Sequence, residues 1–345
     1  MRKLLVWMYS RTQPHWSIPP EDVDRIRAEL GPDWEVLTIE RDIDATGDGP
    51  PGVPPAVLEE IADAEVYFGF GIAREAFLAA RRLRWVHSGA AGVRGSLFPE
   101  MRASDVRLTN SAGVYAEPMA DQALAMMLHF TRGIDGAVVG MRERRWRREA
   151  IVGPEGGVGE LSGAVLGIIG YGGIGRALGR RARALGMRVW ALRRGEPEAG
   201  DGPEEVERLW GSGGLDELLA GSDYVALTVP ETAETTDLIG ARELALMKES
   251  AVLINIARGR ILDEEALVDA LRAGRLRGAG LDVFRTEPLS PDSPLWALDR
   301  VLLTPHIGGT SPRFWERQTE LMIRNIRSYL DGRPLENLVD KQRGY

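Results

Sequence analysis

The chain of 345 residues contains no cysteine. That absence excludes disulfides, thiolate zinc sites, iron–sulfur clusters and cysteine nucleophiles, and with them the disulfide scaffold of many small secreted domains. Lysine is nearly missing as well: Lys3, Lys248 and Lys341 are the only three. Arginine therefore carries almost all the positive charge, and one exposed arginine by itself says little. Basic charge is in deficit, with 43 Lys and Arg against 51 Asp and Glu and a formal net charge of −8. This balance disfavours a nonspecific nucleic-acid or anionic-membrane surface. No apolar run reaches the roughly 18 residues of a membrane span. The opening run Leu4 to Tyr9 is short for a signal peptide and reads as a first buried strand, so a cytoplasmic protein is expected. Histidine is scarce too. His15, His87, His129 and His306 are the only four, which narrows the search for an acid–base group.

What is present is an ordinary globular composition, 44% hydrophobic and 27% charged, in a chain too long for one core. Short apolar runs at Leu4–Met8, Glu35–Ile39, Val66–Phe70, Trp85–Ser88 and Val106–Thr109 read as strands separated by helix-length segments. Gly47–Pro55 is rich in Gly and Pro and reads as a surface loop. Helical spacing of Met119, Ala123, Met126, Met127 and Phe130 predicts a helix over Ala116–Arg132. The charge run Arg142–Arg148 reads as a solvated face. A second series of strands follows at Ala164–Ile169, Arg188–Leu192, Tyr224–Val229, Ala251–Ile254, Gly278–Leu281 and Val301–Thr304. A last helix spans Ser311–Leu330, with Trp315, Leu321, Ile323, Ile326 and Leu330 on one side. The fold class is α/β, with two successive doubly wound parallel-sheet lobes.

Between the strand Ala164–Ile169 and a helix over Ile174–Leu185 lies Gly170-Tyr171-Gly172-Gly173-Ile174-Gly175. A GxGxxG in this strand–turn–helix context is a dinucleotide-binding fingerprint. Gly170 permits the tight turn, Gly172 lets a pyrophosphate approach the helix N-terminus, and Gly175 permits close helix–strand packing. The acidic residue expected about 20 positions on, which would accept the ribose hydroxyls of NAD, is absent. Arg193 and Arg194 stand there instead. Guanidinium forks match phosphate oxygens, so NADP is favoured over NAD, with Glu196 close behind keeping NAD open.

Three candidates for chemistry follow successive strand ends: Arg258 in Asn255–Gly259, Glu287 in Asp282–Leu289, and His306 in Thr304–Gly309. In open α/β sheets ligands bind outside the carboxyl ends of strands, and an imidazole suits proton transfer near neutrality. Spacing alone leaves these residues equally readable as solvated charges. His129 reads as a packed or interface histidine, and His15 lies in a Pro-rich loop with no evident partner.

The order of motifs resembles the D-isomer-specific 2-hydroxyacid dehydrogenase family over nearly the whole chain. The resemblance runs through Asn110–Asp121, Gly167–Gly175, Thr228–Thr235, Asn255–Gly259, Gly278–Pro288 and Thr304–Gly309. It implies a catalytic trio. Arg258 would bind the substrate carboxylate and polarise the C2 oxygen, His306 would exchange the proton, and Glu287 would hold the imidazole. It implies cofactor contacts at Gly170, Gly172, Gly173, Ile174, Gly175, Arg193, Arg194, Val229, Pro230, Ala257 and Asp282, the last near the nicotinamide or else capping a strand end. The substrate carboxylate would meet the backbone N–H groups around Ala91 and Gly92 in His87–Val93, and no metal is required. Arg94 and Asp121 depart from the family pattern and leave the substrate class open. Trp146 is a candidate to reach a neighbouring subunit's site.

The resemblance also implies a split substrate domain, 1–110 with 306–345, of flavodoxin-like form, and an inserted Rossmann cofactor domain, 111–305. The Met-rich face of the Ala116 helix would form a homodimer interface or pack internally. The expected activity is hydride transfer between NAD(P)H and a small 2-keto acid such as glyoxylate or hydroxypyruvate. A phosphoglycerate dehydrogenase-like enzyme and a nucleotide-sensing corepressor-like protein remain alternatives. A formate-oxidising relative would carry Gln in place of Glu287.

Overall fold

The computed structural model describes residues 1–42, 52–152, 158–197 and 203–344. Contacts divide the chain into two compact units, one of residues 1–115 with 311–345 and one of residues 116–310. The expected seams are 110/111 and 305/306, and the contacts put them at 115/116 and 310/311. The observed seams keep all of Thr304–Gly309 in the second unit.

In the first unit, β1 (Arg2–Trp7), β2 (Trp34–Thr38), β3 (Val66–Gly69), β4 (Trp85–Ser88) and β5 (Arg107–Thr109) form one parallel sheet ordered β2-β1-β3-β4-β5. This is the flavodoxin-like order. Strands β3 and β4 are buried along their whole length, as a parallel sheet covered on both faces requires. The last helix begins at Phe314, not Ser311, and buries Phe314, Gln318, Leu321, Met322, Ile326 and Tyr329. Leu330, expected on that face, is exposed. Tyr329 takes its place, stacking on Trp85 with centroids 5.3 Å apart and donating its hydroxyl proton to Glu65 at 2.6 Å. Most of the Gly47–Pro55 loop lies outside the described residues, and Pro55 opens the helix Pro55–Ile61.

In the second unit, β6 (Val165–Ile169), β7 (Arg188–Leu192), β8 (Arg208–Trp210), β9 (Tyr224–Leu227), β10 (Val252–Asn255), β11 (Gly278–Leu281) and β12 (Val301–Leu303) form a parallel sheet. Its order is β12-β11-β10-β9-β6-β7-β8. The direction of winding reverses between β6 and β9, which is where such sheets bind nucleotides. The short edge strand β8 was not anticipated. The helix Ala116–Thr131 turns its methionine face inward: Met126 and Met127 are fully buried with Leu166, Ile168, Val252 and Ile254. Internal packing occupies Met126 and Met127, and Met119 is partly buried against the same cluster. Among the described residues no helix is long and apolar enough to cross a membrane.

His87 sits inside the first unit on β4, with no solvent exposure. Its Nδ1 is 2.7 Å from Thr109 Oγ1, and its Nε2 is 3.0 Å from the Gln318 side-chain amide. Burial pushes its pKa down to about 3, so the ring is neutral when folded but protonates readily when unfolded. Its contribution to stability is complete above about pH 6.5 and declines as the pH falls toward 3. Between pH 6.5 and 5 the decline is roughly 2 kcal/mol. Chemical denaturation at pH 7 and pH 5 should reveal that loss in the wild type and a smaller one in His87→Gln. Equal losses would place the acid sensitivity elsewhere.

Candidate active site

The glycine turn lies where the sheet order reverses. Gly170 has φ +103°, a conformation open to glycine without strain. A side chain there would come 2.7 Å from the Val229 nitrogen. Thr228 Oγ1 donates to the Gly170 carbonyl at 2.6 Å. On the other flank, the Leu192 carbonyl accepts from the N–H groups of Gly170 and Tyr171 at 2.9 and 3.1 Å. The turn is thus held between the ends of β7 and β9. Gly172 caps the helix Gly173–Ala184 with no side-chain hydrogen bond, and Gly173 and Ile174 form its first turn. A Cβ on Gly172 would meet nothing within 4 Å, whereas one on Gly175 would lie 2.5 Å from the Gly170 carbonyl oxygen. The first position is open beside helix N–H groups, as a pyrophosphate requires. The second is closed by helix–strand packing. These residues fit a dinucleotide.

Arg193 and Arg194 follow β7 directly, next to the carbonyl that holds the turn. Arg193 N–H donates to Trp210, and Arg194 Nη2 lies 3.5 Å from Glu234 Oε2. Val229 and Pro230 follow β9, and the Pro230 carbonyl accepts from Thr235 Oγ1 at 2.7 Å.

Beyond β10, the Asn255 side chain accepts from Ala257 N–H at 3.1 Å and donates to the Arg258 carbonyl at 3.0 Å. Half-buried Arg258 directs Nη1 to the Ala257 carbonyl at 2.7 Å. The next residue, Gly259, lies against the loop after β11. A Cβ there would fall 1.9 Å from the Phe284 carbonyl carbon. Only glycine lets the Arg258 loop and the Glu287 loop come this close.

Glu287 Oε1 accepts from Phe284 N–H at 2.9 Å, and Oε2 accepts from His306 Nδ1 at 2.6 Å. The two side chains keep 28% and 35% of their surface accessible. Burial pushes the Glu287 pKa up, but the His306 bond, the Phe284 N–H and the charges of His306 and Arg258 outweigh it. The carboxyl is held below its ordinary range. It is therefore ionised at neutral pH and is neutralised only as the pH falls through that lowered value.

His306 has φ +53°, and its N–H donates to the Asp282 and Thr304 carbonyls at 2.9 and 3.0 Å. The Asp282 carboxylate, almost fully buried, accepts from Thr304 Oγ1 at 2.5 Å, Ile307 N–H at 3.0 Å and Gly308 N–H at 2.8 Å. These bonds give it the strand-end capping role. Two more polar side chains hold these loops. Thr304 is one. Glu264 is the other: it accepts from Arg285 N–H at 2.5 Å, and burial raises its pKa. The acidic opening Asp263-Glu264-Glu265 of the helix Glu264–Arg272 was the only available signal.

Ala91 and Gly92 lie in the first unit, just after β4. Asn110 Nδ2 donates to the Ala91 carbonyl at 2.8 Å. His87, at the start of that motif, is inside the sheet. His129 packs edge-on to Phe130 at 5.0 Å, and burial lowers its pKa. His15 lies 4.7 Å from the Trp16 ring in the short turn Pro14–Trp16. Asp121 pairs with Arg181 at 2.8 Å.

A nucleotide-binding turn at the sheet's reversal, beside strand ends bearing a His–Glu pair, defines the class of dinucleotide-dependent oxidoreductases. Residues 124–308 match the model of the D-isomer specific 2-hydroxyacid dehydrogenase, NAD binding domain, family. The chain is 36% identical over 332 residues to a glyoxylate reductase of Thermococcus gammatolerans, covering 94% of each. It is similar to a D-isomer specific 2-hydroxyacid dehydrogenase of Xanthobacter autotrophicus Py2 solved with NADPH and MES. That match has 29% identity and TM-score 0.78, and covers 100% of both chains. It is similar as well to an NADPH-dependent glyoxylate/hydroxypyruvate reductase of Sinorhizobium meliloti solved with NADP and sulfate. Here the identity is 25% and the TM-score 0.78, again over 100% of both. The chain belongs to the D-isomer specific 2-hydroxyacid dehydrogenase family and is an NAD(P)-dependent oxidoreductase.

Two glycine substitutions should separate binding from folding. Gly172→Ala meets open space, so its thermal midpoint should match the wild type while dinucleotide affinity, read by fluorescence titration, falls. Gly259→Ala meets backbone and should cost about 3 kcal/mol, the upper end of overpacking penalties, with activity lost in step. Unchanged affinity in the first or unchanged stability in the second would contradict the geometry described.

Proposed function

We propose that this protein reduces small 2-keto acids of the glyoxylate or hydroxypyruvate type, with NADPH preferred over NADH. The observation that carries the reading is the 2.6 Å bond between His306 Nδ1 and Glu287 Oε2. A carboxylate on Nδ1 keeps that nitrogen protonated and leaves Nε2 as the ring's proton-transfer atom. Bound NADPH supplies the hydride that reduces C2. His306 donates the accompanying proton from Nε2 to the C2 oxygen and leaves the step neutral. Glu287 stabilises the imidazolium before the transfer and fixes the ring plane. Arg258 binds the substrate anion and polarises the carbonyl, a role suited to a cationic fork. The backbone N–H groups of Ala91 and Gly92 are assigned to the substrate carboxylate on their motif.

The cofactor preference rests on Arg193 and Arg194. Both directly follow Leu192, whose carbonyl is bonded to the glycine turn; with a dinucleotide on that turn, they are the residues that would hold the 2′-phosphate of NADP. The protein is further assigned as a cytoplasmic homodimer. Met141 and Trp146, 78% and 91% exposed, border with Ile151 and Val152 a cavity of about 640 Å³. Arg144, Arg145, Arg147 and Arg148 line the same cavity, and exposed apolar side chains rimmed by polar ones are the pattern of an interaction site.

A panel of 2-keto acids assayed with NADPH and NADH tests the activity, and no turnover with any acid would end the reading. A higher kcat/KM with NADH would refute the arginine argument. His306→Asn is a clean probe because Asn tolerates positive φ. It should lower kcat by roughly 10²- to 10⁴-fold, the usual worth of a general acid. In sedimentation, Trp146→Glu should convert a dimer to monomer.

A further inference from the structure

We infer that Gln122 and Thr304 are positioning residues for His306, acting through the carboxylate of Asp282. The inference rests on the reading of His306 as the proton donor.

The hydrogen bonds run in one direction. Gln122, on the helix Ala116–Thr131, donates Nε2–H to Thr304 Oγ1 at 3.0 Å. The Thr304 oxygen is thereby an acceptor, and its single proton goes to Asp282 Oδ1 at 2.5 Å. Asp282 Oδ1 also accepts from Ile307 N–H, and Oδ2 accepts from Gly308 N–H. The backbone carbonyl of the same Asp282 accepts from His306 N–H. One buried residue therefore binds three consecutive N–H groups, those of residues 306, 307 and 308.

His306 needs this support. It is a non-glycine residue at φ +53°, a conformation that persists where the surroundings over-determine it. Gln122 contributes a second contact. A Cβ on Gly308 would lie 3.3 Å from Gln122 Cγ and 2.8 Å from Asp282 Oδ2, so the glutamine stem and the carboxylate together cover that end of the turn. Without the Thr304 hydroxyl, Asp282 Oδ1 keeps only the Ile307 N–H, so the carboxylate is less firmly oriented and the turn that directs the imidazole toward Glu287 loosens. Geometry at a reacting centre is sensitive to displacements near 1 Å.

The test compares Thr304→Val, which keeps the shape and removes the hydroxyl, with Thr304→Ser, which restores it, and with Gln122→Met. His306→Asn is measured in parallel. Thr304→Val should lower kcat by about tenfold to a hundredfold, with the dissociation constant for NADPH and the thermal midpoint close to wild type. Thr304→Ser should recover most of the loss, and Gln122→Met should show a smaller fall of the same kind. With only four histidines in the chain, a ¹⁵N-histidine spectrum resolves the His306 Nδ1 proton that bridges to Glu287. That resonance should move or broaden in Thr304→Val and return in Thr304→Ser. A merely structural threonine would change the thermal midpoint without this pattern. Wild-type kcat and an unmoved resonance in Thr304→Val overturn the inference, as does a serine variant no better than valine. If His306→Asn loses turnover while Thr304→Val does not, only this inference fails. If His306→Asn itself turns over normally, the reading of His306 falls with it.

Discussion

The second unit is organised by the approach of two strand ends on either side of a reversal in sheet order. Gly170 lies so close to the Thr228–Val229 backbone that no side chain fits between them, and the Thr228 hydroxyl bonds back to the Gly170 carbonyl. Parallel strands wound outward in both directions from this seam must present their carboxyl ends, and the loops that follow, on one edge of the sheet. The dinucleotide turn after β6 and the loops bearing Arg258, Glu287 and His306 after β10, β11 and β12 therefore share that edge. The nucleotide site and the proposed acid–base pair are consequences of one topology.

Within that frame, burial and partners separate the histidines. His87 is sealed in the first unit among a threonine, a glutamine and aromatic rings, and an imidazole without a countercharge stays neutral there. His306 reaches solvent and faces a carboxylate. That carboxylate is in turn held ionised by bonds that outweigh its burial. Equal chemistry in the sequence has become a structural group in one place and a candidate proton carrier in the other.

This sorting explains which features were legible in advance. The glycine turn is local: strand, turn and helix are contiguous, so spacing alone announced it. Strand positions were readable within one or two residues because buried strands carry continuous apolar runs. The three-residue strand β8 carries no such run. The burial of His87 is not readable locally because it depends on Thr109 and Gln318, the latter 231 residues away. The inward turn of Met126 and Met127 was one of two readings that periodicity left open. Gly259 looked like one glycine of many until Phe284 arrived beside it. Asp282 and Thr304 are 22 residues apart and meet only because β11 and β12 pair in register.

The loops after these strands also carry carboxylates beside an arginine proposed to bind an anion, Glu287 close enough to feel its charge. Asp282 accepts from the N–H groups of Ile307 and Gly308, Glu287 from that of Phe284, and Glu264 from that of Arg285. Each acid takes at least one backbone donor that restrains a loop, and Glu287 spends its other oxygen on His306 and not on Arg258. Arg258 in turn donates to the Ala257 carbonyl. A guanidinium locked in a buried ion pair would have to break a strong charge-assisted bond before accepting a substrate carboxylate. Backbone N–H groups relieve that competition. The acids shape the loops, and the proposed substrate-binding charge keeps its capacity for an incoming anion.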